Sequence, residues 1–458
     1  MSRYRPDPKI LRLGPDFYDA VAPAAFPQCI RRFVNSRSAG TVGLDLDDAG
    51  WSRHFCRFEP LPDNLGQPLA LRYHGHQFRV YNPEIGDGRG FTFAQLRDGE
   101  GRLLDLGTKG SGQTPYSRHA DGRLTLKGGI REVLATEMLE ALGVNTSKSF
   151  ALFETGETLE RSDEPSPTRS AVLTRLSHGH IRIGTFQRLA FLGEVENLTA
   201  LTRYCLENLY GEHPTDNEPA NALKLFEMVA DGTARLAASY LASGFVHGVL
   251  NSDNINITGE SFDYGPWRFT PEWDPGFTAA YFDHYGLYAF GRQPEAVHWD
   301  LLQLAGCLAL ITAAPSLSNL LAGWSERFEQ ALVRAMVRRL GVASNDDDRA
   351  LTSALVKALA ARTHSIDRVF FDWRGGNDPG PDDYPQDEFR HLAGLLVGRQ
   401  RQLTHAYWSD ATPCSMYIEE VEAIWSAIAE QDDWQPFADK VTAVRRMGEA
   451  MEQDAPAS

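Results

Sequence analysis

A chain of 458 residues, 42% apolar and 23% charged, is long enough for two or three domain-sized units, or for one two-lobed enzyme with extensions. Its formal net charge of -16 argues against a general nucleic-acid or anionic-membrane binder, so any phosphate site must rest on a few local cations. No stretch approaches the ~20 apolar residues that span a bilayer, and Asp7, Asp16 and Asp19 do not suit a transit peptide.

A cytoplasmic setting is therefore expected. The five cysteines (Cys29, Cys56, Cys205, Cys307, Cys414) form neither a C-x-x-C pair nor a zinc spacing, and buried or idle reduced thiols are the expectation.

Residues 1–65, rich in Pro, Asp and Arg with short apolar runs, read as an irregular arm wrapping the body. Phe91 to Arg97 reads as a strand, Asp98 to Gly101 as a turn, and Arg102 to Lys109 as a returning strand. Ile130, Val133, Leu134, Met138, Ala141 and Leu142 share one helical face, and Gly143 stands where a C-terminal cap belongs. Two further strands, Lys148 to Phe153 and Ser170 to Leu176, flank a charged, Pro-containing stretch from Gly156 to Thr168 that reads as a disordered loop. Apolar residues three to four apart predict a helix from Asn221 to Ser243. Helical patterns then recur over Leu301 to Thr312, Asn319 to Leu340, Leu351 to Thr363, Asp387 to Gln402 and Ile418 to Glu430.

The clustered glycines of Gly86-Asp87-Gly88-Arg89-Gly90 can let backbone N–H groups approach a phosphate, although in isolation such a run is an ordinary tight turn. Lys109 ends the next strand and Glu132 lies on the following helix, in the order by which kinases pair a strand lysine with ATP phosphates and a helix glutamate. The segment His247-Gly248-Val249-Leu250-Asn251-Ser252-Asp253-Asn254 places an asparagine seven residues after a histidine, and Asp263-Tyr264-Gly265 follows. Asn254 and Asp263 then fit an oxygen-donor pair for Mg²⁺ or Mn²⁺. The aspartate that the kinase template expects two residues after the histidine is Val249, and Asp253 is the available base. Asp121-Gly122-Arg123, Arg175 and Arg182 add polar groups between the two halves.

From about residue 70 to 305 the chain resembles the selenoprotein O family, the pseudokinase-like protein adenylyltransferases. The likeness rests on Gly75-His76-Gln77-Phe78, Gly86-Asp87-Gly88-Arg89, Lys109-Gly110-Ser111-Gly112, Thr114-Pro115-Tyr116-Ser117-Arg118 and Asp121-Gly122-Arg123. It continues through Ile130-Arg131-Glu132, His180-Ile181-Arg182, Gly184-Thr185-Phe186, the His247 to Asn254 segment, Asp263-Tyr264-Gly265-Pro266 and Phe290-Gly291-Arg292-Gln293-Pro294.

The resemblance implies an α+β, bilobal protein-kinase-like fold: an arm over 1–65, an N-lobe over 66–190, a C-lobe core over 191–315 and a helical extension over 316–458. It implies that ATP binds flipped and that AMP passes to Ser, Thr or Tyr hydroxyls of protein substrates; the acidic net charge and the lack of a long apolar stretch lead to the expectation of no nucleic-acid or membrane partner. Carried over by motif, Gly86, Gly88, Arg89, Lys109, Asp121, Gly122, Arg175, Arg182 and Asp263 contact ATP. Glu132 orients Lys109, Asn254 and Asp263 hold the metal, and Asp253 accepts the proton.

The chain departs from the family pattern at Arg79 and at Lys127-Gly128-Gly129, and its last residues, ending Ala457-Ser458, contain no cysteine. UMP transfer with Mn²⁺, conventional phosphate transfer and an inactive nucleotide-binding scaffold are the alternatives. Val249 speaks against phosphate transfer. The retained Lys109, Glu132, Asp253, Asn254 and Asp263 speak against a scaffold.

Overall fold

The computed structural model describes residues 3–162 and 164–456; Met1, Ser2, Asp163, Ala457 and Ser458 lie outside it. Its strands are β1 (Tyr18–Ala20), β2 (Ile30–Val34), β3 (Leu69–Leu71), β4 (Gly75–Gln77), β5 (Val80–Asn82), β6 (Thr92–Arg97), β7 (Leu103–Lys109), β8 (Leu124–Thr125), β9 (Lys148–Leu159), β10 (Thr168–Ser177), β11 (Phe245–Val246) and β12 (Arg268–Phe269). The main sheet runs β1-β3-β6-β7-β10-β9-β2, with β8 beside β10, and every pairing in it is antiparallel. β4 and β5 form a separate hairpin, and β11 and β12 form a two-stranded antiparallel pair that brackets residues 247–267.

The helices before the middle of the chain are α1 (Ser36–Thr41), α2 (Asp48–Phe55), α3 (Leu126–Ala141), α4 (Ile183–Leu192), α5 (Val195–Tyr204) and α6 (Glu218–Ser243). They are followed by α7 (Gln293–Leu308), α8 (Ala314–Ala322), α9 (Trp324–Leu340), α10 (Asp348–Ala360), α11 (Ile366–Asp372), α12 (Asp387–Leu396), α13 (Ile418–Gln431) and α14 (Gln435–Gln453). The protein is thus a mixed α/β molecule with antiparallel sheets. Among the described residues no helix is long and apolar enough to cross a membrane.

Alternation along the strands sorts the core. Ala171 and Leu173 of β10 turn to the face that packs Val133, Leu134 and Met138 of α3, while Val172 turns to the opposite face. There it meets the cluster built from Trp51 and Phe55 of α2 with Phe93 and Phe150, whose rings lie 5.2–6.0 Å apart, edge-on or tilted. A third apolar cluster joins α9, α10 and α12.

Local chemistry sets the ends of the elements that matter most. The β6–β7 turn is held by Asp98, whose Oδ1 accepts from the Glu100 and Arg102 N–H groups at 3.0 and 2.9 Å. α3 starts at Thr125, which accepts from the Gly128 N–H at 3.1 Å, and closes before Gly143 at φ +78. α6 starts at Asn217 with Pro219 in its first turn and stops at Gly244, φ +72, which delivers the chain into the 245–254 segment.

Several expectations are corrected. Residues 1–65 are not irregular throughout: β1 and β2 form the two opposite edges of the main sheet, and α1 and α2 cover one face. Edge strands of three and five residues are too short to show an alternating pattern. The loop expected from Gly156 begins after Leu159, because β9 continues and Thr158 pairs with Arg169 of β10. The helix expected over 319–340 is two helices separated at Gly323. Cys29 and Cys56 are not free thiols but a disulfide, because the entry to β2 and the exit from α2 meet over the same face, with Cα atoms 6.0 Å apart. Cys205, Cys307 and Cys414 are free.

Candidate active site

Five segments from across the chain converge on one cleft of about 350 Å³. Gly86 to Gly90 precede β6, and their glycines are dictated by close approach. A Cβ at Gly86 would sit 2.5 Å from the Tyr116 ring, and one at Gly90 would lie 2.0 Å from the Thr108 carbonyl oxygen. Lys109 closes β7. Arg175 lies on β10 beside it, in the register that pairs Arg175 with Gly107.

Arg182 precedes α4 on a segment tied to the chain after Asn254: Ile183 N–H donates to the Ile255 carbonyl at 3.0 Å, and Ile257 N–H to that of Ile181 at 2.9 Å. The fifth segment carries Asp263 at φ +63, a conformation uncommon outside glycine.

Within the cleft the charges are interlocked. Lys109 Nζ lies 2.6 Å from Glu132 Oε2 and 3.3 Å from Asp263 Oδ1, and it also donates to the Tyr264 carbonyl at 3.1 Å. Arg175 Nη1 stands 3.2 Å from both Glu132 Oε1 and Asp263 Oδ1. Arg182 Nη1 lies 3.4 Å from Asp263 Oδ2 and donates to the Asp253 carbonyl at 2.8 Å. The Arg182 guanidinium also covers the Tyr73 ring at 4.2 Å. Burial opposes ionisation of Asp263, but Lys109, Arg175, Arg182 and Arg89 together hold its carboxyl well below the usual range.

Asp253 has a different environment. It lines the same cleft, and its Oδ1 is buried without a hydrogen-bond partner among the described residues. Burial, against the pull of Arg182, pushes its carboxyl up to about 6, so at neutral pH it is largely an ionised carboxylate able to take a proton. The loop that carries it is clamped by the β4–β5 hairpin: His76 N–H donates to Ser252 Oγ at 2.8 Å and Phe78 N–H to Asn251 Oδ1 at 3.0 Å.

Asn254 Nδ2 donates to the Val249 carbonyl at 2.8 Å, which leaves its amide oxygen as the free ligand atom. Asn254 and Asp263 are oxygen donors of the kind a hard divalent cation takes. Among the described residues no group of three or more His, Cys, Asp or Glu side chains is placed to hold a metal. By chemistry alone, two such donors would leave most of a cation's ligands to phosphate and water oxygens, which differs from a closed all-protein site.

Of the residues singled out in the sequence, Gly86, Gly88, Arg89, Lys109, Arg175, Arg182, Asp253 and Asp263 line the cleft, and Glu132 stands directly behind Lys109. Asp121, Gly122 and Asn254 are not among the residues that line it. Asp121 lines a separate groove beside Ala22 to Ala24 and pairs with Arg161 at 2.9 Å, while Gly122, at φ +69, packs so tightly on Gly112 that a Cβ would come within 2.3 Å.

Tyr73, Gln77, Asp87 and Arg118 were not assigned a role, yet all four line the cleft, and Asp87 lies 3.6 Å from Arg182. Their positions inside quoted motifs, or next to them, were the available signal. The cleft sets five cations (Arg89, Lys109, Arg118, Arg175, Arg182) against three carboxylates (Asp87, Asp253, Asp263), a local surplus that favours phosphates in an acidic protein.

A glycine-walled, cation-rich cleft of this kind is what phosphate chemistry asks for, and the comparisons with known proteins agree. The family model described as protein adenylyltransferase SelO matches residues 2–386. A protein nucleotidyltransferase YdiU of Synechocystis sp. is 39% identical, with 95% of this chain and 96% of the relative covered. The YdiU protein of Gloeobacter violaceus is 40% identical over 96% and 95%, and that of Rhodopseudomonas palustris 33% over 96% and 92%. The class is that of protein nucleotidyltransferases. Within it, the chain belongs to the SelO family.

Proposed function

We propose that this chain transfers AMP from ATP to Ser, Thr or Tyr hydroxyls of protein substrates, on a two-lobed kinase-like frame. On this reading 66–190 is the glycine-loop lobe, 191–315 the lobe with the catalytic loop and 316–458 a helical extension, while 1–65 edges the sheet. The observation that carries the reading is the exchange of roles in the catalytic loop. Val249 can accept no proton, whereas Asp253 lines a cleft that also holds Arg89, Lys109, Arg118, Arg175 and Arg182, and burial pushes its carboxyl up to about 6.

Asp253 takes the proton of the attacking hydroxyl as the new O–P bond forms at the α-phosphorus. The bond from the α-phosphorus to the bridging oxygen breaks, and pyrophosphate leaves with its charge matched by Lys109, Arg175 and Arg182. Glu132 keeps Lys109 and Arg175 in place through its two oxygens. Asn254 and Asp263 would hold Mg²⁺ or Mn²⁺, which would supply charge neutralisation. The SelO and YdiU descriptions of the family and of the relatives, adenylyl and nucleotidyl transfer to protein, support the same chemistry.

The test is label transfer. With Mg²⁺ or Mn²⁺ and candidate protein substrates, α-labelled ATP is expected to label protein, with a mass gain equal to AMP, and γ-labelled ATP is not. Asp253→Ala should lower turnover by on the order of 10²–10⁴ while ATP affinity persists. Label from the γ position would make the protein a kinase, preferred transfer from UTP would make it a uridylyltransferase, and binding without transfer would leave a scaffold.

A further inference from the structure

Away from the cleft, α6 and α9 enclose a second pocket of about 240 Å³ whose floor is the Thr258–Gly259 turn and the Gly143–Asn145 turn after α3. Arg235 of α6 and Arg334 and Arg338 of α9 line it, and none of its lining residues is acidic. Among the described residues Arg235 and Arg334 make no ion pair or hydrogen bond, and the one bond of Arg338 donates to the Gly143 carbonyl at 3.1 Å.

This is not the habit of the surrounding helices. Arg327 of α9 pairs with Asp231 and Glu227, and Arg339 with Asp367. In a chain with 61 acidic side chains against 45 Lys and Arg, three exposed arginines that line one pocket without a carboxylate partner among the described residues leave their guanidinium groups available to an anion.

The recess adjoining this pocket, about 40 Å³, repeats the pattern more deeply. It shares Arg338 and Gly143 with the pocket and is walled by Arg374, which is 2% exposed. Arg374 has no carboxylate within ion-pair distance, and its buried Nε has no partner among the described residues. Its Nη1 donates to the carbonyls of Arg338 and Arg339 and its Nη2 to that of Met451, all neutral acceptors. Burial chiefly, with Arg401, Arg338 and Arg339 adding to it against Asp454, pushes its guanidinium down to about 10. The turn is shaped to let the side chains in: Gly143 has φ +78, and a Cβ there would stand 2.5 Å from the Arg338 guanidinium carbon.

We propose that this arginine pocket is a second, non-catalytic binding site for a small phosphate-class oxyanion of the size of phosphate or pyrophosphate. Planar guanidinium forks pair with phosphate oxygens, and the pocket is smaller than the cleft assigned to ATP. The floor also connects to the catalytic machinery. Ser261 N–H donates to the Asn145 carbonyl at 2.8 Å and Ser147 N–H to the Ser261 carbonyl at 2.9 Å, joining the turn after α3, the helix of Glu132, to the segment that ends in Asp263. An anion there would brace that seam from behind.

Calorimetric titration of the full chain with phosphate and, separately, pyrophosphate tests this, on wild type, the pair Arg235→Ala/Arg334→Ala and the cleft variant Arg89→Ala. Two classes of site are expected in wild type. The double variant should weaken one class at least tenfold, as expected for lost charged hydrogen bonds, and leave ATP binding at the cleft within about twofold. Arg89→Ala should weaken the other class. The anion-free melting temperature of the double variant should be unchanged or higher, since no ion pair is removed. Oxyanion binding unchanged in the double variant but abolished by Arg89→Ala would overturn the proposal, and so would a fall in its anion-free melting temperature, which would make the arginines structural. Pyrophosphate binding with no phosphate binding would narrow the site to diphosphates.

Discussion

Glu260 shows how one buried carboxylate can set a pH response of its own. It accepts the His178 backbone N–H at 2.8 Å, and burial pushes it up to about 7 against that bond, Lys148 and Arg102, with Asp105 raising it further. Between the ordinary glutamate range and pH 7 the folded protein therefore keeps a proton that the unfolded chain has released. Its contribution to stability is full at low pH and is lost as pH rises toward 7. Glu260→Gln, which keeps an acceptor oxygen but cannot ionise, is expected to match wild type near pH 5 and to exceed it at pH 8 by roughly 3 kcal/mol. Melting temperatures across that range check it, and parallel curves for the two proteins would show that Glu260 does not titrate on unfolding.

At the scale of elements, α4 is the hinge of the site's geometry, because Arg182 is its N-cap and its first turn rests on the β4 strand. Gly184 makes that contact possible: a Cβ there would meet the His74 carbonyl oxygen at 2.1 Å, and His74 N–H donates to the Gly184 carbonyl at 3.1 Å. Backbone cannot yield as a flexible side chain can. Gly184→Ala should therefore cost about 1–3 kcal/mol of stability and shift Arg182 away from Asp263. Denaturant unfolding together with ATP affinity measures both effects. Loss of ATP affinity without loss of stability would mean that α4 slides as a rigid body, and no change in either would refute the tight contact.

For the whole molecule, the last helices and the first strands close on the same element. Arg445 of α14 forks onto Glu137 of α3 with bonds of 2.7 and 2.8 Å, Lys127 reaches Glu422 of α13 at 2.7 Å, and Phe33 of β2 meets Phe437 edge to face. α3, the helix of Glu132, is thus backed by chain termini far apart in sequence. Glu137 is buried while the Arg445 side chain is 32% exposed, so Arg445→Met should cost about 2 kcal/mol, less than the full penalty for breaking a fully buried pair. Adding Glu137→Gln should recover part of that loss, because it removes the stranded charge. A double variant no more stable than the single would mean that Arg445 acts through packing on Phe33, 5.8 Å from its guanidinium, and not through charge.

What the sequence determined by itself was whatever short-range order encodes. The β6–β7 hairpin, α3 and α6 were legible because turn residues, caps and apolar spacing lie within a few residues of one another. The order of the glycine run, Lys109, Glu132, Asp253, Asn254 and Asp263 marked the elements that meet at the cleft, since each of these residues sits at the end or on the face of an element that short-range pattern specifies. Tertiary structure alone decided the rest. It made β1 and β2 the two edges of one sheet, joined Cys29 to Cys56, set Asp121 in a separate groove and put Tyr73, Gln77 and Asp87 into the cleft. It also drew Arg235, Arg334, Arg338 and Arg374 together without an acid among them. Each of these depends on which segments pack against each other across long stretches of chain, and burial and charge balance at such a contact are properties of the assembled neighbours, which no local pattern carries.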